Sequence, residues 1–167
     1  MTTSGGDHLD GAPEVICLGE TMIMVTPEPA GPLAEAETCL LLPGGAESNV
    51  AMNLAALGHR VMWCSRLGAD PLGDRILSRV AGHGVDTSAV VRDPVHPTGV
   101  YFKDPAPAGT TVHYYRAGSA ASVMDETHLT SVDLTTTRIV HITGITPALS
   151  AGCAAMINSL IDRLADE

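Results

Sequence analysis

The residues best suited to chemistry stand together at Gly44-Gly45-Ala46-Glu47-Ser48-Asn49. Two adjacent glycines carry no side-chain bulk, so a ligand can come close to the backbone. Three polar residues then open an Ala- and Leu-rich helix. Unpaired N–H groups and the helix dipole at such an N-terminus suit a polar or anionic ligand. The spacing is neither a phosphate loop, which needs a Lys, nor the dinucleotide turn G-x-G-x-x-G. Turns of this kind also occur with no ligand, so the residues alone leave the ligand open. A second group lies further on. Tyr114 and Arg116 alternate along a strand, which puts a phenol and a guanidinium on one face. That pair suits a carboxylate or phosphate on a hydroxylated small molecule.

The elements that must position these groups follow from apolar patterning. Val15 to Leu18 reads as a buried first strand ending at Gly19, and Thr21 to Val25 as a second. Pro27, Pro29, Gly31 and Pro32 break the chain before an apolar Thr38 to Leu42 leads into the glycine turn. In the helix that follows, Val50, Leu54 and Leu57 fall on one side, Ala51 and Ala55 allow close packing, and Gly58 caps the end. Val61 to Ser65 reads as a core strand and Arg66 to Asp70 as a loop. Asp70 is an N-cap and Pro71 a first helical residue. That second helix turns Ile76, Leu77 and Val80 inward and ends near Gly82 to Gly84. Ala89 to Val91 is the next strand. This alternation predicts an α/β fold with a parallel sheet and covering helices.

The pattern then changes. Thr98 to Lys103 and Thr110 to Arg116 alternate around a turn-rich Asp104 to Gly109, a hairpin with more than a two-residue loop. Four of the five aromatic residues lie in it: Tyr101, Phe102, Tyr114 and Tyr115. Phe102 and Tyr115 read as cross-strand packing; Tyr114 and Arg116 read as ligand contacts. Residues 118–133 read as loop with a short helix near Asp125, and Arg138 to Thr143 as a core strand. His141 lies in that strand as a satisfied core or edge histidine. The exit loop Gly144 to Ser150 lies at a strand's carboxyl end, where α/β proteins bind ligands. The final helix carries Ile157, Leu160, Ile161 and Leu164 as its apolar stripe. An unpaired sheet edge after it would be an aggregation hazard.

Composition narrows the function classes. The 167 residues suit one domain, and 45% hydrophobic with 3% aromatic content calls for a core of Ala, Val, Leu and Ile. A net charge of -10 disfavours nucleic acid and anionic membranes as partners. No apolar run reaches membrane-spanning length. Residues 1–13 lack the basic and apolar regions of a signal peptide and read as a disordered tail. Cys17, Cys39, Cys64 and Cys153 are spread apart, and read as buried reduced thiols of a cytoplasmic protein rather than a metal site.

Taken together, Gly44 to Asn49, with Gly58 and Gly68 following, resembles the N-terminal signature of ribokinase-like sugar kinases, the pfkB family. Gly68-Ala69-Asp70-Pro71-Leu72-Gly73 resembles the loop and helix start that follow there. Tyr114 to Ala120 and Thr143 to Ser150 look closest to the 2-keto-3-deoxygluconate kinases. The resemblance implies a three-layer α/β/α fold with a mostly parallel sheet over residues 14–167 and a small β lid from about 21–42 and 98–117. It implies transfer of the ATP γ-phosphate to a sugar-acid hydroxyl with Mg²⁺. Gly45 and Asn49 match sugar-contacting positions. Tyr101, Tyr114 and Arg116 match lid contacts to the keto-acid, with Arg116 facing its carboxylate, and Ile145 lines the same pocket. The lid of this family also forms a dimer interface.

One departure matters. The family's general base stands in a second motif, Gly-Ala-Gly-Asp, beside the nucleotide site, and this motif does not occur here. The chain therefore reads as the N-terminal, substrate-binding half, with no catalytic, cofactor or metal residue of its own. Phosphoryl transfer needs that positioning and charge stabilisation, so the chain alone is expected to be inactive. Other readings stay open: a pfkB kinase for fructose, ribose or a nucleoside, and a non-catalytic sugar-acid-binding or dimerising protein. Arg116 argues against a neutral sugar, because a guanidinium buried without a partner is costly.

Overall fold

The structure, a computed structural model, describes residues 12–130 and 132–165. Most of the residue 1–13 tail lies outside them. Four strands form a parallel sheet: β1 (Val15–Leu18), β4 (Val61–Gly68), β5 (Val90–Asp93) and β8 (Ile139–His141), in the order β5-β4-β1-β8. Alternation along β1 divides the core. Val15 and Cys17 face a cluster with Trp63, Leu67, Ala51, Ile76 and Val80. Ile16 and Leu18 face another with Cys64, Met124, Leu129, Cys153, Met156 and Leu160. Helices α1 (Ala46–Ala56) and α2 (Pro71–Ala81) thus cover one face and α3 (Ala151–Ala165) the other, making three layers.

A second, mixed sheet has the order β3-β2-β6-β7, from β2 (Met22–Pro27), β3 (Cys39–Gly44), β6 (Val100–Ala106) and β7 (Gly109–Tyr115). Ile23 and Val25 of β2 belong to the α1/α2 cluster, with Val100 and Phe102 against it, so this sheet rests on that side of the core. Its register sets Leu42, Met24, Tyr101 and Tyr114 in one cross-sheet row.

Local signals account for several boundaries. Asp70 Oδ1 accepts the Gly73 N–H at 2.8 Å, with Pro71 opening α2, as the cap predicts. Gly58 follows α1 at φ 91°, where a side chain is disfavoured.

Other expectations are corrected. β4 runs on through Arg66 to Gly68, because pairing with β5 continues to Gly68–Asp93. The hairpin turns through only residues 107–108: Asp104 and Pro105 pair with Thr111 and Thr110 inside the ladder. Leu57 is 76% exposed, beyond the end of α1. In α3 the buried stripe is Cys153, Met156, Ile157 and Leu160, while Ile161 and Leu164 are exposed. Among the described residues β8 is an edge rather than a core strand, pairing with β1 alone, and Ile139 is exposed. His141 Nε2 is buried without a hydrogen-bond partner, so this histidine is not fully satisfied. Three cysteines are buried free thiols, but Cys39 is exposed at the start of β3.

Candidate functional site

The glycine turn is occupied from within. A side chain at Gly44 would place its Cβ 2.4 Å from the Tyr101 hydroxyl. One at Gly45 would meet Thr21 Oγ1 at 2.3 Å and the Glu20 carbonyl at 2.6 Å. The missing bulk therefore admits neighbouring groups of this chain, where the sequence suggested an approaching ligand. The polar residues at the helix start also turn inward. Thr21 donates to Ser48 Oγ at 2.7 Å, in a buried contact. Glu47 is fully buried and its Oε1 accepts the Thr143 hydroxyl at 2.6 Å. A buried carboxylate at this N-terminus opposes a phosphate there, so the turn does not fit the nucleotide's phosphates. Asn49 alone of the three is exposed, and it lines a hollow of about 430 Å³ with Met24, Leu42, Pro43, Met52 and Arg75.

The hairpin aromatics form two pairs. Tyr101 and Tyr114 stand opposite each other with ring centroids 5.8 Å apart. Burial, and Tyr114 beside it, push the Tyr101 hydroxyl above its ordinary pKa. Tyr114 is 58% exposed, and the Arg116 guanidinium lies 5.7 Å from its ring centroid. Phe102 meets Tyr115 edge-on at 5.5 Å, as cross-strand packing requires.

Arg116 and Ile145 meet at one cavity of about 450 Å³, lined also by Ala117, Gly144, Ala148 and Leu149. The guanidinium contributes the cationic group of an otherwise small and apolar lining. Behind it, Arg116 Nη2 forms an ion pair with Glu20 Oε2, whose side chain is 1% exposed. Ser119 donates to Glu20 Oε1 at 2.8 Å. Burial pushes the Glu20 carboxyl above its ordinary pKa, while Arg116 and the Ser119 hydroxyl pull against that rise. Next to the lining residues Gly144 and Ile145, the Thr143 hydroxyl accepts the Ile145 N–H at 3.2 Å while donating to Glu47.

Arg116 and Ile145 thus share a cavity, Tyr114 stacks on Arg116, and Tyr101 fills the space over Gly44. Gly45 is packed inside the turn, and Asn49 opens on a different hollow. The sequence did not mark Glu20, and it suggested Glu47 as a polar residue at the helix start rather than a buried carboxyl group. A Glu between the apolar runs of β1 and β2 was the available signal for Glu20. Nothing local marks Glu47's partner, which is 96 residues away. Among the described residues, no group of three or more His, Cys, Asp or Glu could hold a metal ion, and no helix is long and apolar enough to cross a membrane.

Known proteins resemble this chain in sequence and in fold. The sequence model of pfkB family carbohydrate kinases matches residues 12–165. The 2-dehydro-3-deoxygluconokinase of Bacillus subtilis is 40% identical over 140 residues, which is 83% of this chain and 43% of that protein. The enzyme of the same name from Thermoproteus tenax is 33% identical over 151 residues, 89% of this chain and 46% of its own. The crystal structure of a PfkB protein from Polaromonas sp. JS666 superposes with a TM-score of 0.85 at 40% identity, covering 90% of this chain and 51% of that one. The chain therefore spans about half the length of the curated relatives it matches.

Proposed function

Because this chain belongs to the pfkB family of carbohydrate kinases, we propose that it forms the sugar-acid-binding part of a kinase acting on 2-keto-3-deoxygluconate. The observation that carries this reading is Arg116, held by a buried ion pair at the wall of a cavity large enough for a six-carbon acid. In this reading Arg116 takes the carboxylate, and Tyr114 and Tyr101 bound the sugar on the second sheet. Ile145 supplies the apolar wall. Gly45, packed inside the turn, shapes the start of α1, and Asn49 faces the separate hollow beside Met24 and Arg75 rather than this cavity. Residues 21–42 and 98–117 act as the lid. ATP and Mg²⁺ supply and polarise the transferred phosphate in the kinase reaction. No residue of this chain is assigned to hold them, and the chain alone binds the sugar acid without transferring phosphate.

The substrate assignment does not rest on an unpaired cation. Glu20 already balances Arg116, so a neutral sugar would not strand the guanidinium, and that sequence argument lapses. Support comes instead from the cavity and from the names of the relatives. A thermal-shift panel of 2-keto-3-deoxygluconate, fructose and ribose tests it. The sugar acid alone should raise Tm. Equal stabilisation by fructose would move the assignment to a neutral sugar, and ADP formation by the chain with ATP and the acid would refute its inactivity.

A specific surface favours pairing of two copies through the lid. Leu40, Leu42 and Tyr114 are all exposed on one face of the second sheet, an apolar strip suited to self-association. Sedimentation at rising concentration should show a dimer that Leu40→Glu/Leu42→Glu abolishes. A monomer at every concentration would refute it.

A further inference from the structure

We propose that Glu20 is a positioning residue that aims Arg116 into the cavity, with Ser119 locking Glu20 in turn. This rests on the reading that Arg116 receives the substrate carboxylate. Three contacts close a ring. Arg116 pairs with Glu20 Oε2, the Ser119 hydroxyl donates to Glu20 Oε1 at 2.8 Å, and the Ser119 N–H donates to the Arg116 carbonyl at 3.0 Å. The ring ties the link between β1 and β2 to the chain leaving β7, across 99 residues. Ser119 is itself fixed, because it caps the turn at Ala120–Val123.

The chemistry favours an aiming role over a merely neutralising one. An arginine head swings on a long flexible stem and serves as a directed donor only when that stem is held. Glu20 is almost wholly buried, so its carboxylate gains little from water and must take its stabilisation from Arg116 and Ser119. Each partner therefore fixes the other. The Arg116 side chain remains 22% exposed and lines the cavity, while its buried Nη2 is anchored behind it. A substrate carboxylate can then approach a donor whose direction is already set, so less ordering remains at the moment of binding. Glu20 does not itself line the cavity, and acts through Arg116.

The test combines a ligand-free and a ligand-bound readout on Glu20→Gln, Glu20→Asp and Arg116→Lys. In ¹⁵N NMR the Arg116 Nε–H signal, identified by its loss in Arg116→Lys, should be sharp and slow to exchange in the unmodified chain. It should broaden or vanish in Glu20→Gln. Calorimetry should show both Glu20 variants binding 2-keto-3-deoxygluconate at least tenfold more weakly. Affinity for 3-deoxyfructose, which carries CH₂OH in place of the carboxylate, should stay unchanged. Glu20→Asp keeps the charge but shortens the reach, so weak binding there points to aim rather than charge. An unaltered Arg116 signal in a folded Glu20→Gln, or undiminished acid binding by both variants, overturns the proposal. If Arg116→Lys leaves the preference for the acid intact, or the unmodified chain does not bind the acid, the substrate reading fails instead. The NMR arm then still decides whether Glu20 holds Arg116.

Discussion

Glu47 and Thr143, 96 residues apart, are joined by a hydrogen bond of 2.6 Å between a fully buried carboxylate and a hydroxyl. The same hydroxyl accepts the N–H of Ile145. The start of α1 thereby holds the loop that lines the Arg116 cavity. Thr143→Val keeps the shape but leaves Glu47 Oε1 unpaired, which should cost about 1–3 kcal/mol. Urea denaturation measures that loss. Amide exchange should quicken at Ile145, and unchanged exchange there would contradict the link.

The glycine turn yields a paired prediction. Gly45→Ala forces a Cβ against the Glu20 carbonyl and Thr21 Oγ1, so it should destabilise by about 1–3 kcal/mol. Gly31→Ala meets nothing within 4 Å and should be nearly silent. At Gly44 the obstacle is the Tyr101 hydroxyl, so Tyr101→Phe should recover part of the loss in Gly44→Ala. A double-mutant cycle with no coupling would contradict that contact.

Two buried carboxylates should pull the pH dependence of stability in opposite directions. Asp93 is opposed by its own burial, yet the N–H groups of His96 and Val95, the His96 ring and Arg66 hold its carboxyl far below the usual range. A depressed folded-state pKa gives stability that is present above the ordinary carboxylate range and is lost as pH falls through it. Asp93→Asn should cost about 3 kcal/mol near neutrality, less in acid. Glu20 is raised by burial, so its contribution is full below about pH 4 and declines as pH rises through its own higher value. The cost of Glu20→Gln should therefore shrink from pH 5 to pH 8. A cost that grows over this range would contradict the sign.

Much of the fold was legible because its signals are local. Alternation in β1 and β4, the Asp70-Pro71 cap and Gly58 after α1 each act within a few residues. The errors arose where distant neighbours decide. Ile161 and Leu164 continue a helical stripe. However, α3 packs on the turns at Ala120–Val123, Glu126–Leu129 and Thr146–Ala148, and these take up its earlier part. Pro105 looked like a loop residue, yet it sits in the ladder of β6 near the hairpin tip. Of the site, Arg116 and Ile145 could be brought together by resemblance. The ion pair behind Arg116 could not, because no local signal links Glu20 to Arg116, or to Ser119, which lies 99 residues from it.

Whether Arg116 selects a sugar acid can be read by titration calorimetry with 2-keto-3-deoxygluconate on the unmodified chain and on Arg116→Ala. Binding of the acid should be measurable and fall at least tenfold in the variant, with affinity for 3-deoxyfructose weak in both. Equal binding of the acid by both proteins, or equal binding of acid and neutral sugar by the unmodified chain, would contradict that selection.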